Sequence, residues 1–133
     1  MHGLHLTADL RDCRCDPGLL QDAPALVRSC LDAVLASGLR AVDQLFHRFP
    51  DGPQGPGGVT ATVLLAESHL CLHTWPELSG VTLDVYVCNL GADHGAQARA
   101  LLARLLALFQ AGRVERQELQ RGLPAVESEG LCP

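Results

Sequence analysis

Reactive side chains concentrate in one short segment, from Ala66 to Glu77, in a chain otherwise rich in leucine, alanine and glycine. The segment contains a serine, a cysteine, two histidines and two glutamates. If it forms a β-strand, alternate side chains point to opposite sides of the sheet. The reactive side would then carry Glu67, His69, Cys71 and His73. The intervening leucines would point to the apolar side.

Three interpretations suit this reactive face, and the residue pattern alone leaves them open. Zinc prefers imidazole and thiolate ligands, but His69, Cys71 and His73 would spread over about 13 Å of strand, so only neighbouring pairs could share an ion. A nucleophile with a histidine base is the second, with Ser68 or Cys71 as the attacking group. The segment does not match the Gly-x-Ser-x-Gly or cysteine protease signatures. The third is a half-buried strand whose polar face is simply hydrogen-bonded.

The residues around this segment form a longer pattern with fixed spacing. Glu67-Ser68-His69-Leu70 is followed by His73-Thr74-Trp75-Pro76-Glu77, and Cys88 lies fifteen residues beyond His73. This pattern closely resembles the prokaryotic S-adenosylmethionine decarboxylase proenzyme family. The similarity extends over Gly3-Leu4-His5-Leu6, Phe46-His47-Arg48-Phe49, Arg113-Val114 and Arg121-Gly122. Such a long match is far more specific than a single dipeptide.

The resemblance implies a self-processing, pyruvoyl-dependent decarboxylase. The bond between Glu67 and Ser68 would be cleaved when the serine hydroxyl attacks the preceding carbonyl, and the resulting ester would undergo β-elimination and hydrolysis. Ser68 would thereby become a pyruvoyl group, which forms a Schiff base with the substrate amine and accepts the electrons left when CO2 departs. The processed protein would consist of a β chain, residues 1–67, and an α chain, residues 68–133.

The resemblance also implies roles for five further side chains. His73 matches the proton acceptor of the processing reaction, and Cys88 matches the proton donor to the decarboxylated carbanion; imidazole exchanges protons near neutral pH, and an ordinary thiol is mostly protonated there. Thr60 stands where the family usually has a serine whose hydroxyl takes part in processing. Phe49 matches an aromatic that stacks on adenine. Glu77 matches a carboxylate that binds the ribose hydroxyls.

The expected reaction is conversion of S-adenosylmethionine to its decarboxylated form, the aminopropyl donor for spermidine synthesis, by a homodimer of processed protomers. Departures from the family lie near the substrate: Leu4 replaces a common arginine, residues 50–58 form a longer loop, and Leu78-Ser79-Gly80 replaces a tyrosine-containing turn. Some relatives decarboxylate ornithine or arginine, so a basic amino acid is the alternative substrate. A non-catalytic metal-binding domain, built on the histidine and cysteine face, is the alternative of another class.

The hydrophobic periodicity predicts the order β-α-β-β-β-β-α-β. The predicted strands cover 3–10, 39–47, 59–66, 70–74, 81–87 and a short 113–119. The first helix, 23–37, is expected to bury Val27, Cys30, Leu31, Val34 and Leu35, and Asp16-Pro17 resembles a helix start. The second is expected to bury Ala98, Leu101, Leu102, Leu105, Leu106 and Phe109 and to end at Gly112. The fold class is then α+β, a two-layer sandwich with two helices on one face of a mainly antiparallel sheet.

The composition narrows the class of protein further. With 133 residues, 47% of them apolar and 19% charged, the chain predicts one domain over residues 1–122, a loose tail over 123–133 and a surface partly covered by a partner subunit. The net charge is −5 and the basic residues are scattered arginines, so nucleic acid is not an expected partner. Without a signal peptide or apolar span, the expected location is the cytoplasm, with reduced cysteines and no membrane association.

Overall fold

Six strands form one antiparallel sheet in the computed structural model, which describes residues 1–124. The strands are β1 His2–Cys13, β2 Ala41–Arg48, β3 Val59–Leu65, β4 Ser68–Trp75, β5 Gly80–Cys88 and β6 Ala111–Gly122. The helices are α1 Ala23–Ala36 and α2 Gly95–Phe109. The strand order is β2-β3-β4-β5-β1-β6, and every neighbouring pair is antiparallel. The predicted fold class and element order are therefore confirmed.

One side of the sheet is apolar and packs under the two helices. Alternate residues of β1, β3, β4 and β5 are buried there, among them Leu6, Val63, Leu72 and Val85. The opposite side, called the open face below, has no covering element among residues 1–124. It carries Leu45 on β2, Thr60, Thr62 and Leu64 on β3, His69, Cys71, His73 and Trp75 on β4, Thr82, Asp84 and Tyr86 on β5, His5 on β1, and Leu119 and Arg121 on β6.

The buried side of α1 differs from the predicted stripe. Leu26, Cys30 and Val34 are buried, whereas Leu35 is 75% exposed. Leu26, Cys30 and Val34 are spaced four residues apart, so they lie on the same side of the helix, which faces the sheet. Leu35 is one residue further along and lies off this side. In α2 the prediction holds for every stripe residue except Leu106, which is only partly buried. Within residues 1–124, no helix is long and apolar enough to cross a membrane.

Two predicted boundaries were wrong, and the predicted helix start at Asp16 belongs to a separate short helix. Asp16 caps a short 3₁₀ helix, Pro17–Leu20, and α1 is capped instead by Asp22, whose carboxylate accepts the Ala25 N–H at 3.0 Å. α2 ends at Phe109, because Gln110 takes the left-handed conformation, φ 49°. β6 is not short, because it pairs with β1 along its whole length.

The C-terminal boundary is only partly covered. Leu123, predicted to begin a loose tail, donates its N–H to the Met1 carbonyl at 3.2 Å. Residues 125–133, including Cys132, lie outside the described residues. The prediction of a loose tail over that part of the chain stays a prediction.

Candidate active site

A two-residue turn places Ser68 at the start of β4. Leu65 of β3 pairs with Ser68, so Ala66 and Glu67 form the connection. Glu67 has φ 57°, a left-handed conformation that costs a residue with a side chain roughly 1–3 kcal/mol. The expectation that Glu67 shares a strand face with His69 is therefore wrong, because Glu67 precedes the strand and lies in its turn. The bond between Glu67 and Ser68 lies at this turn.

Cys88 ends the neighbouring strand beside Ser68. The backbone N–H of Cys88 donates to the Ser68 hydroxyl oxygen at 3.1 Å. The cysteine side chain is buried and the serine is half-buried. In the antiparallel register of β4 and β5, His69 pairs with Tyr86. The start of β4 and the end of β5 therefore lie side by side at the same end of the sheet. Ser68 and Cys88 thus form one cluster, called the serine cluster below.

Thr60 and His73 form a second contact on the open face. They are direct cross-strand partners in β3 and β4, and the Thr60 hydroxyl lies 2.8 Å from His73 Nδ1. The buried hydroxyl of Thr74 aligns this end of the hairpin, since it accepts the Val59 N–H at 2.8 Å and donates to the Leu20 carbonyl at 2.7 Å. The His73 ring is exposed, so its Nε2 is free to meet a reactant.

A cleft of about 260 Å³ opens next to His73. It is lined by Phe49, Trp75 and Glu77 and by the loop residues 52–58. Thr60 and His73 also line it. Phe49 is about half exposed, as a ring available for stacking must be. The structure therefore brings four of the predicted residues into one cavity: Phe49, Thr60, His73 and Glu77.

The glycine- and proline-rich loop is held in place at both ends. The Asp51 carboxylate accepts from the Gly57 N–H at 3.1 Å and from Arg48 Nη1 at 2.8 Å. These two contacts, the backbone N–H first, hold the pKa of Asp51 below its ordinary 3.8. A Cβ at Gly58 would lie 2.0 Å from the Thr74 carbonyl oxygen, so only glycine fits there.

The two groups of predicted residues lie at opposite ends of β4. Ser68 and His73 are five residues apart in one strand, which is about 16 Å at the usual rise. Five is an odd number, so the two side chains also point to opposite sides of the strand. Within one chain, the structure does not bring the serine cluster to His73, Phe49 or Glu77.

A third polar cluster was not predicted from the sequence. His5 Nε2 and His69 Nε2 lie 3.0 and 2.9 Å from the same oxygen of Asp84, and Arg121 Nη1 lies 3.0 Å from His5 Nδ1. Strands β4, β5 and β1 are neighbours in the sheet but far apart in sequence, so no local pattern could reveal this contact. Arg121 of β6 is the fourth member of the cluster. The residues His5, Asp84, His69 and Arg121 are called the Asp84 cluster below.

The histidine and cysteine face does not form the zinc site considered from the sequence. His73 contacts Thr60, His69 contacts Asp84, and the Cys71 thiol lies 3.6 Å from the Thr62 hydroxyl. Burial, and then the nearby Asp84 charge, raise the pKa of Cys71. Among residues 1–124, the group whose ligand atoms come within 4.8 Å of one another is instead His5, His69 and Asp84.

Comparison with known proteins places the chain among the decarboxylases. The family described as S-adenosylmethionine decarboxylase matches residues 4–122. An S-adenosylmethionine decarboxylase proenzyme of Syntrophomonas wolfei is 31% identical over 97% of this chain and 94% of its own length. A proenzyme of the same name from Bacillus cytotoxicus is 34% identical over 94% of this chain and 88% of its own.

A solved structure agrees with these sequence matches. The crystal structure of the adenosylmethionine decarboxylase from Aquifex aeolicus superposes with a TM-score of 0.79 at 29% identity, covering 96% of each chain. The chain belongs to the S-adenosylmethionine decarboxylase family. The family resemblance predicted from the sequence is thus confirmed, and the alternative of a non-catalytic metal-binding domain is not favoured.

Proposed function

We propose that this chain cleaves itself between Glu67 and Ser68 and then decarboxylates S-adenosylmethionine. The observation that supports this most directly is the position of Ser68, which directly follows a left-handed residue in a tight turn. Cleavage there releases the conformational cost at Glu67 and leaves the pairing of β4 from His69 onward intact. The relatives' description as proenzymes supports the same reading.

The proposed cleavage uses groups of the chain and one water molecule. The Ser68 hydroxyl attacks the Glu67 carbonyl carbon, the peptide C–N bond breaks and an ester forms. A base removes the α-proton of residue 68, and the bond between its β-carbon and the ester oxygen breaks. The main-chain carboxylate of Glu67 leaves as the new C-terminus of residues 1–67. Hydrolysis then consumes the water and releases ammonia, which converts the serine-derived end of residues 68–133 to a pyruvoyl group.

The described residues fit a pyruvoyl group at position 68. The Cys88 N–H, which contacts Ser68 Oγ, and the half-buried environment of Ser68 would hold it. Such a group supplies a ketone that binds the substrate amine and accepts the electron pair left by CO2. The backbone of Cys88 contacts this position, so the thiol of the same residue is our candidate for returning a proton to the substrate.

His73 is the candidate base for processing. In the tautomer with the proton on Nδ1, that N–H donates to Thr60 Oγ1 and leaves Nε2 ready to accept a proton. Thr60 thus orients the ring. Because His73 lies about 16 Å along the strand from Ser68 of its own chain, we propose that it acts on Ser68 of a second copy.

The open face is the surface on which a second copy would pack. It presents exposed leucines beside the polar groups, with Leu45 74% and Leu64 46% exposed. Two open faces related by a two-fold axis, with strands running in opposite senses, would bring the turn at the start of β4 in each chain, where Ser68 lies, next to the cleft of its partner. The proposed assembly is therefore a homodimer with two composite sites.

The cleft favours a nucleoside substrate over ornithine or arginine. Phe49 offers an aromatic face for adenine, and the Glu77 carboxylate can accept hydrogen bonds from two ribose hydroxyls. A linear basic amino acid could pair with the carboxylate, but it has no ring to stack on Phe49. The product would be decarboxylated S-adenosylmethionine, an aminopropyl donor for spermidine synthesis.

Release of labelled CO2 tests the substrate. Purified protein is supplied separately with carboxyl-labelled S-adenosylmethionine, ornithine and arginine. We expect turnover of S-adenosylmethionine alone, and Glu77→Gln should raise KM about tenfold because it removes a charged acceptor. Asp32, an exposed carboxylate of α1 that does not line the cleft, offers a control as Asp32→Asn. Turnover of ornithine or arginine, with the nucleoside left intact, would contradict the assignment.

A further inference from the structure

The Asp84 cluster ties together four strands on the open face. Asp84 of β5 accepts from His69 of β4 and His5 of β1, and Arg121 of β6 reaches the far side of His5. Tyr86 packs beside both imidazoles, with its ring centroid 5.6 Å from that of His69 and 5.7 Å from that of His5, and Arg121 lies 5.7 Å from the centre of its ring. These contacts are half-buried, so water screens them only in part.

The protonation pattern of His5 follows from its two neighbours. Arginine has no acceptor, so Arg121 donates and His5 Nδ1 accepts. A neutral His5 then carries its proton on Nε2 and donates it to Asp84. A metal ion at Nε2 would require the opposite tautomer, with an N–H pointing at the guanidinium. Metal-bound histidines instead direct their other N–H to an acceptor, so the arrangement favours a hydrogen-bond network over a cation site.

His69 connects this network to the proposed chemistry. It is the residue directly after Ser68, so it would be the second residue of the chain that cleavage creates. New chain ends fray unless side chains or pairing hold them. Among the described residues, the hydrogen bond to Asp84 is the one that the His69 side chain makes.

We infer that Asp84 is a positioning residue, which fixes the start of β4 through His69 and so aligns Ser68 for self-cleavage. Asp84 does not touch Ser68; it acts through His69, and His5 and Arg121 hold Asp84 in turn. The inference rests on the proposed function, because alignment of Ser68 has a consequence only in a chain that cleaves itself. Its structural premise, ordering of the first residues of β4, is measurable without any cleavage.

The test compares Asp84→Asn with Asp32→Asn in the full-length chain. Both lose one negative charge, and Asp32 is an exposed residue of α1, away from the open face. Asparagine at 84 can keep an oxygen at the shared position, but it removes the negative charge, so the hydrogen bonds from both imidazoles lose their charge assistance. In a Ser68→Ala background, which cannot form the ester, we measure backbone hydrogen exchange and the thermal midpoint. With Ser68 present, we follow cleavage of freshly translated chain on denaturing gels.

We expect Asp84→Asn to speed exchange in residues 68–71 about tenfold, and to slow cleavage about tenfold, as weakening of two hydrogen bonds to a charged group does. Asp32→Asn should change neither. Exchange that is unchanged at 68–71, or faster by the same factor throughout the sheet, would overturn the inference. Bound zinc in the parent protein that is lost in Asp84→Asn would overturn it too. A parent chain that never cleaves would contradict the proposed function, while the exchange result would still decide whether Asp84 orders β4.

Discussion

Ser68 and His73 belong to the same eight-residue strand, yet they lie at its two ends and point to its two sides. A base that must reach the α-carbon of residue 68 cannot do so across about 16 Å. The residues of the proposed chemistry are therefore split into two half-sites, with Ser68 and Cys88 in one and Thr60 and His73 in the other. The composite dimer site follows from this separation.

Mixing two inactive chains tests the composite site. A Ser68→Ala chain lacks the nucleophile, and a His73→Ala chain lacks the base, so neither should cleave alone. Co-expressed, they form one site with both groups, and the His73→Ala chain should be cleaved. The control pairs His73→Ala with the Ser68→Ala, His73→Ala double variant, which supplies no base. If the first mixture stays as intact as the control, the base does not act across the dimer.

The contact between Thr60 and His73 predicts which hydroxyl is needed for processing. Thr60→Val keeps the shape of the side chain but removes the hydroxyl, so the ring loses its partner and cleavage should slow about tenfold. Thr60→Ser restores the hydroxyl and should cleave at nearly the parent rate. The rate of appearance of residues 68–133 from translated chain measures both. Equal rates for the valine and serine variants would show that the hydroxyl is not used.

Asp51 predicts a separate effect on substrate binding. Asp51→Asn removes the charged anchor between Arg48 and Gly57, so the cleft wall should loosen and KM for S-adenosylmethionine should rise about three- to tenfold. Cleavage should proceed at the parent rate, because Thr60 and His73 are held by their own strand pairing and hydrogen bond rather than by this loop. Steady-state kinetics and processing assays on the same preparation separate the two effects. A slowed cleavage with unchanged KM would contradict this role.

The same anchor should depend on pH in a defined direction. Folding holds the pKa of Asp51 below its ordinary 3.8, so the anchor is fully present above pH 3.8 and is lost as the pH falls through the lower, folded value. Hydrogen exchange in residues 51–57, corrected for its intrinsic pH dependence, should differ between parent and Asp51→Asn at neutral pH and converge at strongly acidic pH. A difference that persists there would show that the carboxylate charge is not the anchor.

The alternation of apolar residues predicted the strands and the fold class because one side of the sheet packs under helices. Local patterns were weaker where tertiary contacts decide the outcome. β6 is longer than its short apolar pattern predicts, because it pairs with β1 along its whole length. In α1, the side that packs on the sheet buries Leu26 instead of Leu35. The motif around Ser68 identified the candidate residues, but spacing alone could not show that Glu67 lies in a turn. The Asp84 cluster was hidden because its members come from four strands.

The central claim is self-cleavage before Ser68, and the intact mass of freshly purified protein under denaturing conditions tests it most directly. A Ser68→Ala chain, prepared in parallel, supplies the uncleaved reference. The account predicts two chains, residues 1–67 and 68–133, with the second lighter by one ammonia than a chain that starts with serine. A single mass equal to that of the uncleaved chain, as Ser68→Ala should also give for its own sequence, would contradict it.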